Sequence, residues 1–540
     1  MRRDLNRLAN EVFDLLVIGG GITGAAIARD ASLRGLSVAL IERNDFAHAT
    51  SAHNSKLIHG GLRYLRSLEL GLVRESLRER RIWQRIAPHI VQPLPFLLPV
   101  LDPGFGARAK LNAGLSLYDL LSFDRGWLDD PDQRLPGHSW LSAQAALACE
   151  PCLDSLPVAG AFRYFDAQMY SPERLALECV LDAANNGAAP ANHIEANTLL
   201  LRNNRIEGAN VTDRQTGVTF DTRANVTIVA AGPWADLFLA QALGRTTHQL
   251  RRSKGIHLIV PPVTRDHALT IATEKSHFFV LPWRTGAILG TTDTAFEGDP
   301  DTVCATETDI EEFLRFINAH LPAVRLDRDH VRYAYAGLRP LVDDGAADTY
   351  AASRRAELID HKIENGPDGL LSVIGGKWTT SRALAQKTVD AALEKLGRKA
   401  AACTTARRRL PGGAIERVST FMNEARANGV ALPNADHLAR LYGSRLPTLL
   451  AILNGNPDLC QPLSPSGDIG VQILFAIREE MALTLEDVVM RRTGIGQEGD
   501  PGSSALDRAA TLMAAECGWS EPHRRAEIDS VATIFRNSRK

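Results

Sequence analysis

Residues 13–42 read FDLLVIGGGITGAAIARDASLRGLSVALIE, and this stretch constrains the fold more than any other part of the chain. Residues 15–18 are a short apolar run that predicts a buried strand. Gly19-Gly20-Gly21-Ile22-Thr23-Gly24 follows, then a small-residue helix over 25–33 and a second strand over 37–41. Strand, glycine turn, helix and strand in this order form the βαβ fingerprint of a dinucleotide site. Gly19 permits the tight turn, Gly21 lets a pyrophosphate approach the backbone, and Gly24 allows the helix to pack closely on the strand. N–H groups at the helix start, around Ile22 and Thr23, face the phosphates. Glu42 lies 18 residues beyond Gly24, where a carboxylate can hold a ribose diol.

A chain of 540 residues has room for two or three domains and a large core. The 61 basic and 63 acidic residues nearly cancel, so no global field argues for a nucleic-acid partner. Of seven cysteines only Cys149 and Cys152 have CxxC spacing. One such pair makes neither a zinc site nor a disulfide framework, so no metal is expected and a reducing, cytoplasmic compartment is inferred. The opening MRRDLNRLANEVFD is charged and lacks a signal-peptide apolar region, and no apolar run is long enough to span a bilayer. Peripheral attachment stays open.

Beyond Glu42 and Arg43, residues 44–63 are small and polar, with Gly60-Gly61 marking a turn or a close backbone approach. Such a loop suits a cofactor touched along its length: Thr50, Ser51 and Ser55 offer hydroxyls, and Lys56 a charge. Residues 64–88 predict a helix, with leucines at 65, 68 and 72. Residues 96–123 are apolar but broken by Pro103, Gly104 and Gly106. A helix over about 107–121 packs on a core or lies on a membrane surface. From 159 to 235 the pattern is strand-like around a helix at 171–186, with hairpin-like pieces at 199–213 and 217–235. Residues 254–293 suggest an antiparallel sheet over a pocket, and 307–320 a helix. Residues 333–341 carry Arg339 on a strand or loop. Residues 370–381 run from strand through Gly375-Gly376 into a second anion-friendly helix start. RRRLPGGAI at 407–415 looks like a linker or domain junction, and the remainder reads as an all-α domain without a catalytic pattern.

Five pieces occur together and in order: SKLIHGGLRYL (55–65), AAGPW (230–234), GTTD (290–293), GLRPL (337–341) and GGKWTTSRALA (375–385). With them the chain closely resembles the FAD-dependent glycerol-3-phosphate dehydrogenases of the respiratory type, over nearly its whole length. Ala231, where Thr is common, and Trp378 are mild departures. The resemblance implies an α/β fold: an FAD-binding Rossmann-type domain, a D-amino-acid-oxidase-like antiparallel substrate domain and an all-α C-terminal domain. It divides the chain into FAD-binding segments at 11–95, 161–253 and 346–400, a substrate- or membrane-facing segment at 96–160, a substrate domain at 254–345 and the helical domain at 401–540. It implies oxidation of sn-glycerol 3-phosphate to dihydroxyacetone phosphate by hydride transfer from C2 to FAD N5, with quinone as acceptor. It also implies a homodimer attached peripherally to the cytoplasmic membrane. FAD contacts are expected from Gly19, Gly21, Ile22, Thr23, Gly24, Glu42 and Arg43. More are expected from Thr50, Ser51, Ser55, Lys56 and Leu57, and from Ala231, Gly232, Gly376, Lys377, Trp378 and Thr379. Related oxidases pass electrons to oxygen; an insertion typical of them is not seen here, which favours the dehydrogenase.

Three cations recur in these motifs: Arg63, Arg339 and Lys377. A phosphomonoester carries nearly two negative charges at neutral pH, and guanidinium forks match its oxygens. Arg63 and Arg339, with Tyr64 beside them, are expected to hold the phosphate. Lys377 joins them or faces the flavin edge that becomes anionic on reduction. Arg339 could also polarise the C2 oxygen. His59, four residues before Arg63, is the expected base for the hydroxyl proton. The alternatives are an amino-acid or sarcosine-type flavin oxidase, a nicotinamide enzyme, and a nucleotide-binding scaffold without catalysis.

Overall fold

The apolar run of the fingerprint is a strand, Val12–Ile18, buried from Phe13 onward. Its neighbours are Val38–Ile41 on one side and Thr219–Val229 on the other, both parallel to it. The computed structural model describes residues 1–538 except 66, 102–103, 245–248, 274–276, 343–355, 400, 428–431 and 454–455. Ala189–Ala191 and Leu370–Gly375 extend the parallel core outward, and Ala356–Asp360 closes one edge antiparallel. The fingerprint helix Ile22–Leu33 is almost wholly buried. Its alanines at 25, 26, 28 and 31 leave room for Pro172–Asn185 and Ser381–Leu396 to pack on it, giving one continuous apolar layer.

The second sheet has ten strands and is antiparallel except where Ala268–Ala272 runs parallel to Val91–Val100. Towards one edge Leu250–Val260 pairs with Gly286–Gly290 and Tyr333–Val342. Helix Glu307–His320 covers one face with Ile310, Phe313, Leu314 and Ile317 at helical spacing. The other face meets C-terminal residues including Leu485, Val488, Val489 and Phe535.

Several expectations shift. Residues 217–235 are no hairpin. They hold one strand, Thr219–Val229, whose first half pairs antiparallel with Arg205–Asp213 and whose second half enters the parallel core. The helix expected from Tyr64 begins at Leu70, because residues 62–65 form a tighter 3-10 turn. Limits at 95/96, 160/161 and 253/254 fall inside the strands Val91–Val100, Gly160–Met169 and Leu250–Val260. All three strands belong to the second sheet. The limits at 345/346 and 400/401 involve residues outside the described ones. Residues 407–415 are not a loose linker: the Leu410 N–H donates to Ile86, Arg29 donates to the Arg408 carbonyl, and Gly412 and Gly413 are buried.

Buried ion pairs tie the C-terminal helices to the rest. Arg174, on the helix that covers the first sheet, grips Glu480 with both Nη atoms, and Arg445 donates to the same carboxylate at 2.6 Å. Burial pushes the Glu480 carboxyl up, but Arg174, Arg445 and Arg492 outweigh it and hold it below its usual range. Arg174→Met therefore destabilises the protein by about 3–5 kcal/mol in urea unfolding near neutral pH. A carboxyl lowered in the fold contributes above its unfolded pKa of about 4.3 and loses that contribution as pH falls through the folded value. The gap between wild type and variant closes in acid.

Candidate functional site

The fingerprint turn is held by contacts that leave no space for side chains. Gly19 has φ +111°, and a Cβ there would lie 2.5 Å from the Ala230 carbonyl oxygen. A Cβ on Gly24 would overlap the Gly19 carbonyl oxygen. Gly21 begins the helix with no side-chain cap, and Ser51 Oγ accepts the Ile22 N–H at 2.9 Å. Glu42 ends the second strand. Its Oε2 accepts the Gly20 N–H at 2.7 Å and its Oε1 the Asn44 N–H at 2.9 Å. Burial pushes this carboxyl up against the pull of those two N–H groups. Arg43 lies over the Trp234 ring at 4.8 Å and pairs with Asp301.

A cavity of about 2050 Å³ opens from this turn and runs between the two sheets. Gly19, Gly21, Ile22, Thr23, Glu42 and Arg43 line its first end, with Ala231 and Gly232 opposite. Thr50, Ser51, Ser55 and Leu57 line its length, followed by Gly376, Trp378 and Thr379. His59, Arg63, Tyr64, Arg339 and Lys377 share the same cavity. Two expected contacts are absent from its wall. Gly24 serves the packing of helix on turn. Lys56 is corrected: its ammonium is buried on Glu173 at 3.1 Å and lies over the Trp283 ring, so it offers the cavity no charge.

The hydroxyls have protein partners as well. Thr50 donates to the Leu338 carbonyl at 2.7 Å, and Ser55 Oγ is 2.8 Å from His257 Nε2. The Trp378 indole N–H donates to the Ser51 carbonyl at 3.2 Å. These bonds join the 44–63 loop to both sheets.

The turn after His59 is equally constrained. A Cβ on Gly60 would overlap Leu77 and the Tyr118 hydroxyl, and Gly61 has φ +75°. The Gly60 N–H reaches Tyr118 Oη at 3.0 Å and Asp166 Oδ1 at 3.2 Å. Tyr118 and Arg80 both donate to Asp166. Sequence reasoning missed Tyr118, Asp166 and Arg80, since no local pattern links residues so far apart. The His59 N–H donates to Thr379 Oγ1 at 3.3 Å, joining this turn to the Gly375-Gly376 segment.

Two of the cations meet at one ring. Lys377 Nζ lies 3.8 Å from the Tyr64 ring centroid and the Arg63 guanidinium 4.8 Å from it. Arg339 is oriented by Ser253 Oγ at 3.0 Å, Thr291 Oγ1 at 2.8 Å and the Thr292 carbonyl at 3.1 Å. Cations gathered in one cavity make a favourable environment for an anion. The long glycine-walled groove at the other end fits a dinucleotide.

Residues 14–391 match the family described as FAD dependent oxidoreductase, and residues 403–524 match the C-terminal domain of alpha-glycerophosphate oxidase. A glycerol-3-phosphate dehydrogenase from Synechocystis sp. is 37% identical, over 96% of this chain and 95% of its own. An aerobic glycerol-3-phosphate dehydrogenase from Staphylococcus epidermidis is 31% identical, over 98% of this chain and 96% of its own. The crystal structure of glycerol-3-phosphate dehydrogenase from Bacillus halodurans, complexed with FAD, superposes with a TM-score of 0.78 at 27% identity. It covers 99% of this chain and 97% of that one.

Ser51→Ala removes the acceptor of the buried Ile22 N–H at the helix start. An unsatisfied buried donor costs about 1–3 kcal/mol, so the apoprotein loses about that much stability, which urea unfolding measures.

Proposed function

Because the chain belongs to the FAD-dependent glycerol-3-phosphate dehydrogenases and uses FAD as its cofactor, we propose that it oxidises sn-glycerol 3-phosphate to dihydroxyacetone phosphate and delivers the electrons to a membrane quinone. Bound FAD supplies the acceptor for the hydride that leaves C2. Gly19, Gly21, Ile22 and Ser51 hold its pyrophosphate end and Glu42 its ribose. Arg63, Arg339 and Lys377, with Tyr64, hold the substrate phosphate. The observation that carries this reading is the approach of Arg63 and Lys377 to one aromatic ring in the cavity that Arg339 also lines. A dianionic ester offers its several oxygens two charges' worth of charge-assisted hydrogen bonds to these donors, whereas the carboxylate of an amino-acid substrate offers one.

His59 takes the hydroxyl proton in this proposal. Its backbone is fixed by Thr379, and the packed Gly60-Gly61 turn sets its position relative to Arg63. Arg339 polarises the C2 oxygen from the strand opposite.

Quinone as acceptor is supported by an apolar surface beside the cavity. Helix Phe105–Leu121 lines the cavity with Lys110, Leu111 and Leu115. At its end Leu120, Phe123 and Trp127 are 68%, 56% and 63% exposed, with Leu68 and Leu70 also exposed. Arg74 and Arg81 lie over Phe123 and Trp127 and both pair with Asp124 beneath them. Among the described residues no helix is long and apolar enough to cross a membrane, and attachment through this surface is peripheral. The homodimer is carried in the same proposal. Oxygen is the second reading, because the matched C-terminal family takes its description from an oxidase.

Anaerobic glycerol 3-phosphate bleaches the flavin absorbance, whereas small amino acids do not. Quinone in anionic vesicles then restores the colour faster than dissolved oxygen does, and Phe123→Ser with Trp127→Ser slows only the vesicle reaction. His59→Asn lowers kcat by a factor on the order of 10²–10⁴ with little change in KM. Unchanged turnover with collapsed binding would instead make His59 a phosphate ligand.

A further inference from the structure

The C-terminal helices reach the cofactor site through a buried network that the proposed chemistry does not use. Asp45 follows the Glu42-Arg43-Asn44 end of the fingerprint and is fully buried. Arg492 grips it with two bonds, Nη1 to Oδ2 at 2.5 Å and Nη2 to Oδ1 at 2.7 Å. Arg491 Nε adds a third at 2.7 Å to Oδ2, and Asn192 Nδ2 a fourth at 2.8 Å to Oδ1. Arg491 also bonds Asp487, which faces His193. Asp45, His193 and Asp487 bring their ligand atoms within 4.8 Å of one another, as a cation site would. The two guanidinium groups already stand in the cation's place.

The segment after Asp45 is held in an unusual shape. Ala47 and Ala49 have φ of +62° and +61°, a region that L side chains disfavour. Such backbone persists only where its surroundings over-determine it. The Ala47 N–H donates to the Gly20 carbonyl at 3.0 Å, and a Cβ on Gly20 would lie 2.7 Å from Phe46. His48, Ala49, Thr50 and Ser51 then line the cavity. Burial, followed by the nearby Arg491, lowers the His48 pKa to about 3, so it faces the cavity uncharged.

We propose that the C-terminal helical domain positions the FAD-binding loop 42–51: Arg491 and Arg492 hold Asp45, and Asp45 holds the strained turn against Gly20 of the fingerprint. The helical domain thereby becomes part of the cofactor site without touching the cofactor. The inference rests on the cavity's taking FAD, which the flavin content of the wild-type holoprotein reads independently.

The test compares Asp45→Asn, Arg492→Lys and Arg491→Lys with Tyr170→Phe. Tyr170 bonds His437 of the helical domain at 2.7 Å, away from the cofactor loop. Each holoprotein is stripped of flavin and titrated with FAD, and melting temperatures are measured with and without it. The Asp45, Arg491 and Arg492 variants raise the FAD Kd by about tenfold or more. Tyr170→Phe lowers the melting temperature and leaves the Kd unchanged. If Asp45→Asn yields no folded protein, Arg491→Lys, which retains the Arg492 grip, decides the matter. A raised Kd supports the proposal whether or not the apoprotein melting temperature also falls. Loop variants that lower only the melting temperature, as Tyr170→Phe does, overturn it.

Discussion

Three backbone segments meet without side chains between them, and the molecule is arranged around that meeting. The Gly24 α-carbon abuts the Gly19 carbonyl, and Gly19 abuts the Ala230 carbonyl at the end of the return strand. Any Cβ at Gly19 or Gly24 would separate helix from turn or turn from strand. Because Val12–Ile18 is central in its sheet, that contact also fixes where the strand ends open. The cavity begins at this opening, as expected at the carboxyl ends of parallel strands.

Charge is distributed by the same logic of close packing. Away from the cavity the cations have buried carboxylates: Lys56 has Glu173, Arg80 has Asp166, Arg174 has Glu480, and Arg492 has Asp45. A buried charge without a partner would be strongly destabilising, so these pairs are mutually required. Two of them also secure a segment of chain that borders the site. Asp166 receives the Gly60 N–H, and Asp45 restrains the loop next to Gly20. Inside the cavity Arg63 and Lys377 are both brought to the Tyr64 ring.

Local pattern exposed much of the fold. Helices at Glu307–His320 and Pro172–Asn185 carry apolar residues at helical spacing, and the first matches its expected range at both ends. Pattern misled where one strand does two jobs. Thr219–Val229 alternates in its first half and is continuously buried in its second, because it passes from an antiparallel hairpin into a parallel core. Lys56 looked like a site cation because it stands in a glycine-rich polar loop. Its partner Glu173 lies 117 residues away on another element. Residues 407–415 looked like a linker from their composition, but Gly412 and Gly413 are there to let backbone pass close to Glu178 and Ile86.

The sequence by itself determined the dinucleotide turn, the order of the two sheets' main segments, the family and the set of motif cations. Those features follow from steric rules and spacings that act over a few residues. Only the tertiary structure decided which cations face the cavity and which are neutralised behind it, and that the helical domain grips the loop after Glu42. Burial and ion pairing depend on distances through space between residues as remote as Asp45 and Arg492, and no local spacing records them.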